Sequence, residues 1–460
     1  MGRLSVKKER PIYHLGLILL LALVFISTTP AYCPARAVPP PSVLLDVKDK
    51  GKVKPRTLVL PYAFATDSMG MVVGLGAGLT GQYQKQLTIM GTGLVSTNGT
   101  GIGVAALNNL RPFPQGRLYI DMLVSPGKYT KQRIYTAGEP GLLLHTAGNN
   151  ESDSEDYHEG RGWDNWAALH FRFLLPLAQE KDTSLPAYTL ERGFPVKGNY
   201  GGKGANPLEN GIILFEISPF WRDQGYKLKN RGDESFRTNG ITWSLVRHNS
   251  DFPANPTYGS NQCLSISQDY GWSDSTSSYT FWELGFSKFI SLGPAPGFRQ
   301  RVLALNFWTA DTPSWQEIET SRGISASHRP SPFRGARLGG FYRLKGFPNG
   351  RFNSKSAAYG ALELRLTPES NPLGKIKLLK FLNIDWWQFV GFGQVGRVAA
   401  EYNFEPLTSD LRWDFGLRLR LMATKAVVRL DMGISEEGMA VWAMVGNPFK
   451  GKQSENEVLI

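Results

Sequence analysis

Residues 411–422 read LRWDFGLRLRLM. Leu411, Trp413, Phe415, Leu417, Leu419 and Leu421 fall on one side of an extended chain, and Arg412, Asp414, Gly416, Arg418 and Arg420 on the other. Several charges on one strand face are costly in a dry core and natural beside water. The opposite face stays Leu, Phe and Trp for about ten residues, the length a tilted strand needs to cross a bilayer. The stretch predicts a membrane-spanning strand, lipid on one face and a wet interior on the other.

The same alternation extends outward from it. Val428, Leu430, Met432 and Ile434 alternate with Arg429, Asp431, Gly433 and Ser435, and further stretches lie at 117–124 and 167–175. Candidate strands fall at 57–66, 70–79, 84–97, 100–110, 116–126, 164–177, 211–221, 238–248, 261–270, 277–290, 298–309, 357–368, 384–397, 411–422, 425–434 and 439–449. About sixteen strands is an even number, as closed bacterial barrels have. The expected fold is all-β, a single transmembrane antiparallel barrel over 57–449. The connections at 127–163, 222–237 and 310–356 then face outward, and the long one at 178–210 lies on the side of the termini. Trp163 and Trp166, Phe220 and Trp221, Trp386 and Trp387, and Trp442 and Phe449 stand near strand ends and predict interfacial girdles.

Composition excludes other classes. With 42% hydrophobic residues, 12% aromatics and 50 glycines, the 460-residue chain is too apolar for a disordered one. Beyond the N-terminus no apolar run reaches the roughly 18 residues of a spanning helix. Cys33 and Cys263 are too few for a disulfide scaffold or a cysteine zinc site. The charge of +12, from 51 basic and 39 acidic residues, is diffuse and points to no nucleic acid.

Lys7, Lys8 and Arg10, the apolar run 15–26, and Ala35-Arg36-Ala37 form a secretory pattern, so 1–37 is expected to be a signal peptide. Residues 38–56 read as a periplasmic lead-in too short to fold, and 450–460 as a C-terminal tail. The expected location is integral to the outer membrane, beside its lipids and lipopolysaccharide.

Catalytic and metal signatures are absent. There is no G-x-S-x-G and no H-E-x-x-H, and no cofactor, metal or enzymatic activity is expected. Gly76, Gly78 and Gly81 fit G-x-G-x-x-G but sit in a strand, where they read as small inward residues. His170 and Ser218 are the nearest approach to a base–nucleophile pair. Glu151, Asp153, Glu155, Asp156 and Glu159 with His158 lack the spacing of a calcium loop and read as a solvated loop. KIKLLKFL at 375–382 reads equally as a turn or as a basic segment on the inner lipid surface.

One segment carries a family resemblance. Residues 338–366, LGGFYRLKGFPNGRFNSKSAAYGALELRL, resemble the signature of the bacterial surface antigen family, the BamA/TamA type of sixteen-stranded outer-membrane barrels. The resemblance implies that the loop after strand eleven, about 310–356, folds back into the lumen. Its tip corresponds to Leu344, Lys345, Gly346 and Phe347, followed by Gly350, Arg351 and Phe352. It implies an inward acid at Glu363 and a wall position at Gln394, where the family often has a carboxylate. Arg412, Asp414, Arg418, Arg420, Arg429 and Asp431 then line the lumen, and Phe449 is the terminal-strand aromatic. Lys345 stands where the family has arginine, so a Lys345–Glu363 pair is expected to pin the loop. The implied function is insertion or translocation of protein or lipid, with a periplasmic partner supplying substrate capture. An anion-favouring channel is the alternative, and a hydrolase in the barrel wall a more distant one.

Overall fold

A computed structural model describes residues 44–46, 56–66, 70–135, 147–177, 185, 187–197, 201–202, 204, 206, 209–228, 232–320, 323–331, 334–423 and 426–445. The expected signal peptide, most of the expected lead-in, Phe449 and the expected tail lie outside the described residues. Sixteen wall strands follow one another: β1 (Arg56–Thr66), β2 (Gly70–Thr80), β3 (Thr88–Ser96), β4 (Gly101–Leu110), β5 (Leu118–Ser125, resuming as Gly127–Ile134), β6 (His158–Leu174), β7 (Ile212–Leu228) and β8 (Gly232–Ser250). Then come β9 (Gly259–Asp269), β10 (Tyr279–Ser291), β11 (Phe298–Asp311), β12 (Ser356–Pro368), β13 (Ile384–Ala399), β14 (Arg412–Ala423), β15 (Ala426–Ser435) and β16 (Gly438–Val445). Pro126 divides β5 into two segments because proline has no N–H for the ladder. Both segments keep one register along β6 from Leu118↔Phe173 to Tyr129↔Gly162.

Each strand pairs antiparallel with its sequence neighbours, from β1–β2 round to β15–β16. The strand order is that of a closed barrel. Its seam falls between β1 and β16, where no ladder forms among the described residues.

The wall is inside out compared with a soluble sheet. On β14, Trp413, Phe415 and Leu417 are exposed, while Asp414, Arg418 and Arg420 are buried. On β12, Leu362 and Leu364 are exposed, while Glu363 and Arg365 are wholly buried. An apolar face this continuous is stable only against lipid.

One expected connection, 222–237, is largely strand, and another, 127–163, is strand at both ends. The hairpin of β7 and β8 stays paired to Leu228↔Gly232, and β5 and β6 to Ile134↔His158. These strands outrun the apolar band, so polar residues stand on both faces and the sequence resembles a loop. The girdle assignments split in the same way. Neighbouring residues on a strand face opposite ways, so Trp221 is exposed while Phe220 is buried among interior residues.

The connection between β11 and β12 holds an antiparallel pair, Gln316–Thr320 with Gly323–Ser327, and a shorter one, Ala336–Leu338 with Phe352–Ser354. The second pair lies against the buried face of the wall. Leu338, Leu344, Phe347 and Phe352 cluster there with Trp308, Tyr359 and Val398. Burying each large apolar side chain contributes about 1.5–3 kcal/mol.

The opposite mouth is covered too. Ala187–Glu191 and Phe194–Lys197 form a ribbon to which Leu44–Asp46 adds in parallel. Tyr188, Leu190 and Phe194 pack on Trp386, Met422 and Val427 of the wall and on Phe252 of the turn at 251–258. The Trp386 indole donates to Gly193 O at 3.1 Å, so this residue faces in and is not a girdle aromatic. The segment at 375–382 is a pair of 3-10 turns anchored by Leu379 in a small cluster with Ile384 and Ala423.

Candidate functional site

The backbone of the expected tip is held directly by side chains of the wall. Leu344 takes a left-handed conformation, φ 51°, which costs a residue with a side chain about 1–2 kcal/mol. Its fully buried side chain offsets that cost. The reversal presents the Lys345–Gly346 backbone to the wall. Lys345 N–H donates to Gln394 Oε1 at 3.0 Å, and Gly346 N–H to Asp414 Oδ2 at 2.5 Å. Ser435 Oγ donates to Gly346 O at 2.8 Å, and Trp442 Nε1 to Lys345 O at 2.7 Å. Four side chains from the four consecutive strands β13–β16 thus bind the backbone N–H and C=O groups of two residues.

Glycines make this contact close enough. A Cβ on Gly433 would lie 2.6 Å from Gly346 N, and one on Gly346 would lie 2.8 Å from the Ile434 carbonyl carbon. Only backbone against backbone fits there. Gly350, at φ 66°, leaves room for the Arg337 guanidinium.

The expected Lys345–Glu363 ion pair is not formed. Glu363 instead accepts from Arg418 at 2.5 Å and from Arg365 at 2.8 Å, so guanidiniums occupy both of its oxygens. The Lys345 ammonium turns back to Tyr342 O at 3.0 Å, over the Phe392 ring at 5.4 Å. Burial, reinforced by the guanidinium of Arg418, pulls Lys345 below the ordinary lysine value.

The charge network runs on through the wall. Arg418 also donates to Asp431 at 2.6 Å, and Arg429 stands 3.6 Å from the same carboxylate. Arg420 reaches Gln388, Asn255 Oδ1 at 3.0 Å and Ala254 O at 2.9 Å, joining the wall to the turn at 251–258. Arg412 departs from the expectation of a lumen charge. It lies at the rim, bound to Asn150 O and Glu436.

Arg351 spans two connections. It pairs with Glu437 at 2.8 Å and donates to Ser152 O at 2.6 Å. Phe352 packs edge-on to Phe347 with centroids 5.1 Å apart. Glu151 pairs with Arg397 at 2.6 Å, and Asn150 accepts from Val398 N–H at 3.1 Å. Asn150 and Ser152 are docked by these contacts, while the acids Glu151, Asp153, Glu155 and Glu159 stay exposed. No group of three metal-ligating residues occurs among the described residues.

The pattern of residues missed Ser435, Trp442, Tyr359 and Gly433. Ser435 and Gly433 did sit on the polar side of the alternation at 428–435, which was the available signal. Trp442 read as a girdle aromatic, although its neighbour Val441 takes the exposed face. His170 Nδ1 and Ser218 Oγ do meet, at 2.7 Å. Both are buried in the wall, Ser218 completely, which closes the pair to a substrate in this conformation.

The sixteen-span barrel matches known architecture. CdiB from Escherichia coli superposes with a TM-score of 0.53 at 10% identity, over 84% of this chain and 61% of that one. The chain has the fold of that CdiB barrel. BamA from Haemophilus ducreyi lacking POTRA domains 1-3 gives 0.47 at 11% identity, covering 85% and 68% of the two chains. CdiB from Acinetobacter baumannii gives 0.48 at 10%, covering 86% and 58%. The chain thus spans about three fifths of the length of either CdiB. No family model and no curated protein matches the sequence.

Proposed function

We propose that the protein is an outer-membrane barrel whose interior is plugged by residues 334–354, and that it inserts or translocates protein or lipid at that membrane. The observation carrying this reading is the capture of the Lys345–Gly346 backbone by Gln394, Asp414, Ser435 and Trp442. A surface loop has no use for such ligation, and irregular backbone at membrane depth is stable only where the interior satisfies it. The ribbon at 187–197 covers the other mouth, which argues against a permanently open pore. The interior arginines also face carboxylates and carbonyls rather than a free channel. A periplasmic partner would bring the substrate to the covered mouth.

Planar-bilayer conductance of the refolded protein, intact and with residues 341–353 deleted, tests the reading. Low conductance that becomes large on deletion is expected. Steady, equal conductance in both would overturn it and favour an anion-selective channel.

A further inference from the structure

The lipid-facing side of the wall carries a groove that the plug and its network do not use. It is a cavity of about 720 Å³ over β4–β7, with Gly101, Gly103 and Pro126 in its floor. Two glycines leave the outer surface bare there. The floor continues the apolar band, since Met122 and Val124 precede Pro126 on the same face and are about half exposed.

Trp163 closes one side of the groove in a fixed pose. Its ring lies over Gly225, where a Cβ would come within 2.2 Å, and its Nε1 donates to Asp223 at 2.9 Å. Lys128 sits opposite Trp163 across the ladder, and one step farther out Lys227 sits opposite Arg161. All three cations line the groove.

An apolar floor at the band's edge, a fixed aromatic plane and three cations just beyond it match one amphiphile: acyl chains below, a sugar at the indole, phosphate above. The cations lie at the end of the barrel away from the termini, which is the cell surface on the outer-membrane reading. We propose that this groove seats the phosphorylated sugar headgroup of an outer-leaflet glycolipid, the lipid A moiety of lipopolysaccharide. The proposal rests on the outer-membrane location but not on the plug, so the conductance result does not bear on it.

The test uses the full chain folded in nanodiscs and native mass spectrometry with three probes: bisphosphorylated lipid A, fully dephosphorylated lipid A and phosphatidylglycerol. The triple variant Lys128→Glu, Arg161→Glu, Lys227→Glu should bind bisphosphorylated lipid A on the order of a hundredfold more weakly. Its binding of the dephosphorylated form should be unchanged. The double variant Lys128→Gln, Lys227→Gln adds no negative charge and should lose about tenfold, so the proposal stays testable if the triple variant fails to fold. Equal lipid A binding by wild type and the double variant would overturn the proposal. So would phosphatidylglycerol binding as tight as lipid A.

Discussion

The two flanks of the barrel that meet at the seam are built differently. On the β12–β15 flank the inward residues are fully committed: Glu363, Arg365, Arg418 and Arg420 are wholly or almost wholly buried in one network, and the tip lies against Gly433. On the β2–β3 flank the inward residues include Gly74, Gly76 and Gly78, and most stay half-buried, with Gly74 under the Tyr62 ring. Among the described residues, the tip's bonds to strands flanking the seam fall on β13–β16 and not on β1–β3. Stability in such a wall is uneven, and the bare flank is where local opening costs least.

The largest effect that sharpens this contrast is expected at Glu363→Gln. It removes the anion between two buried guanidiniums and should cost about 3–5 kcal/mol, read as loss of the folded band in heat-modifiability gels across a urea series. A loss below 1 kcal/mol would mean that water, not Glu363, balances those arginines. Gly433→Ala comes next. Its methyl would meet the Lys345–Gly346 peptide, so a loss of about 1–3 kcal/mol and a rise in conductance are expected together. Hydrogen exchange should then show faster exchange in β2–β3 than in β12–β15, and uniform protection would remove the distinction between flanks. The smallest effect is expected at Gly78→Ala, where the nearest atoms stand 3.8 Å from the added carbon. The change should stay within about 0.5 kcal/mol, and a loss as large as at Gly433 would break the comparison.

Most of the wall was legible in the sequence. All sixteen spans fall in the order that alternation placed them, because each strand must present one face to lipid and one to water. The outer halves of β5–β8 were not legible, since beyond the bilayer both faces are wet and the signal vanishes. The tip was located by its resemblance, Leu344 to Phe352, rather than by periodicity. Its fastening was not foreseen. The pairing of Lys345 with Glu363 followed charge, whereas the contacts formed are to peptide groups of Lys345 and Gly346, which no side-chain pattern advertises. Asp414 had been placed inside correctly, but as a lumen charge and not as an acceptor for a backbone N–H.

Cys263 stands on the inward face of β9, 1% exposed, with Ser265 Oγ at 3.5 Å from its sulfur. A small hydrophilic alkylating reagent reaches this thiol only through the inside of the barrel. Its labelling rate is therefore a built-in clock for how often solvent visits the interior. It can be read in intact cells, with no engineered probe and no electrode.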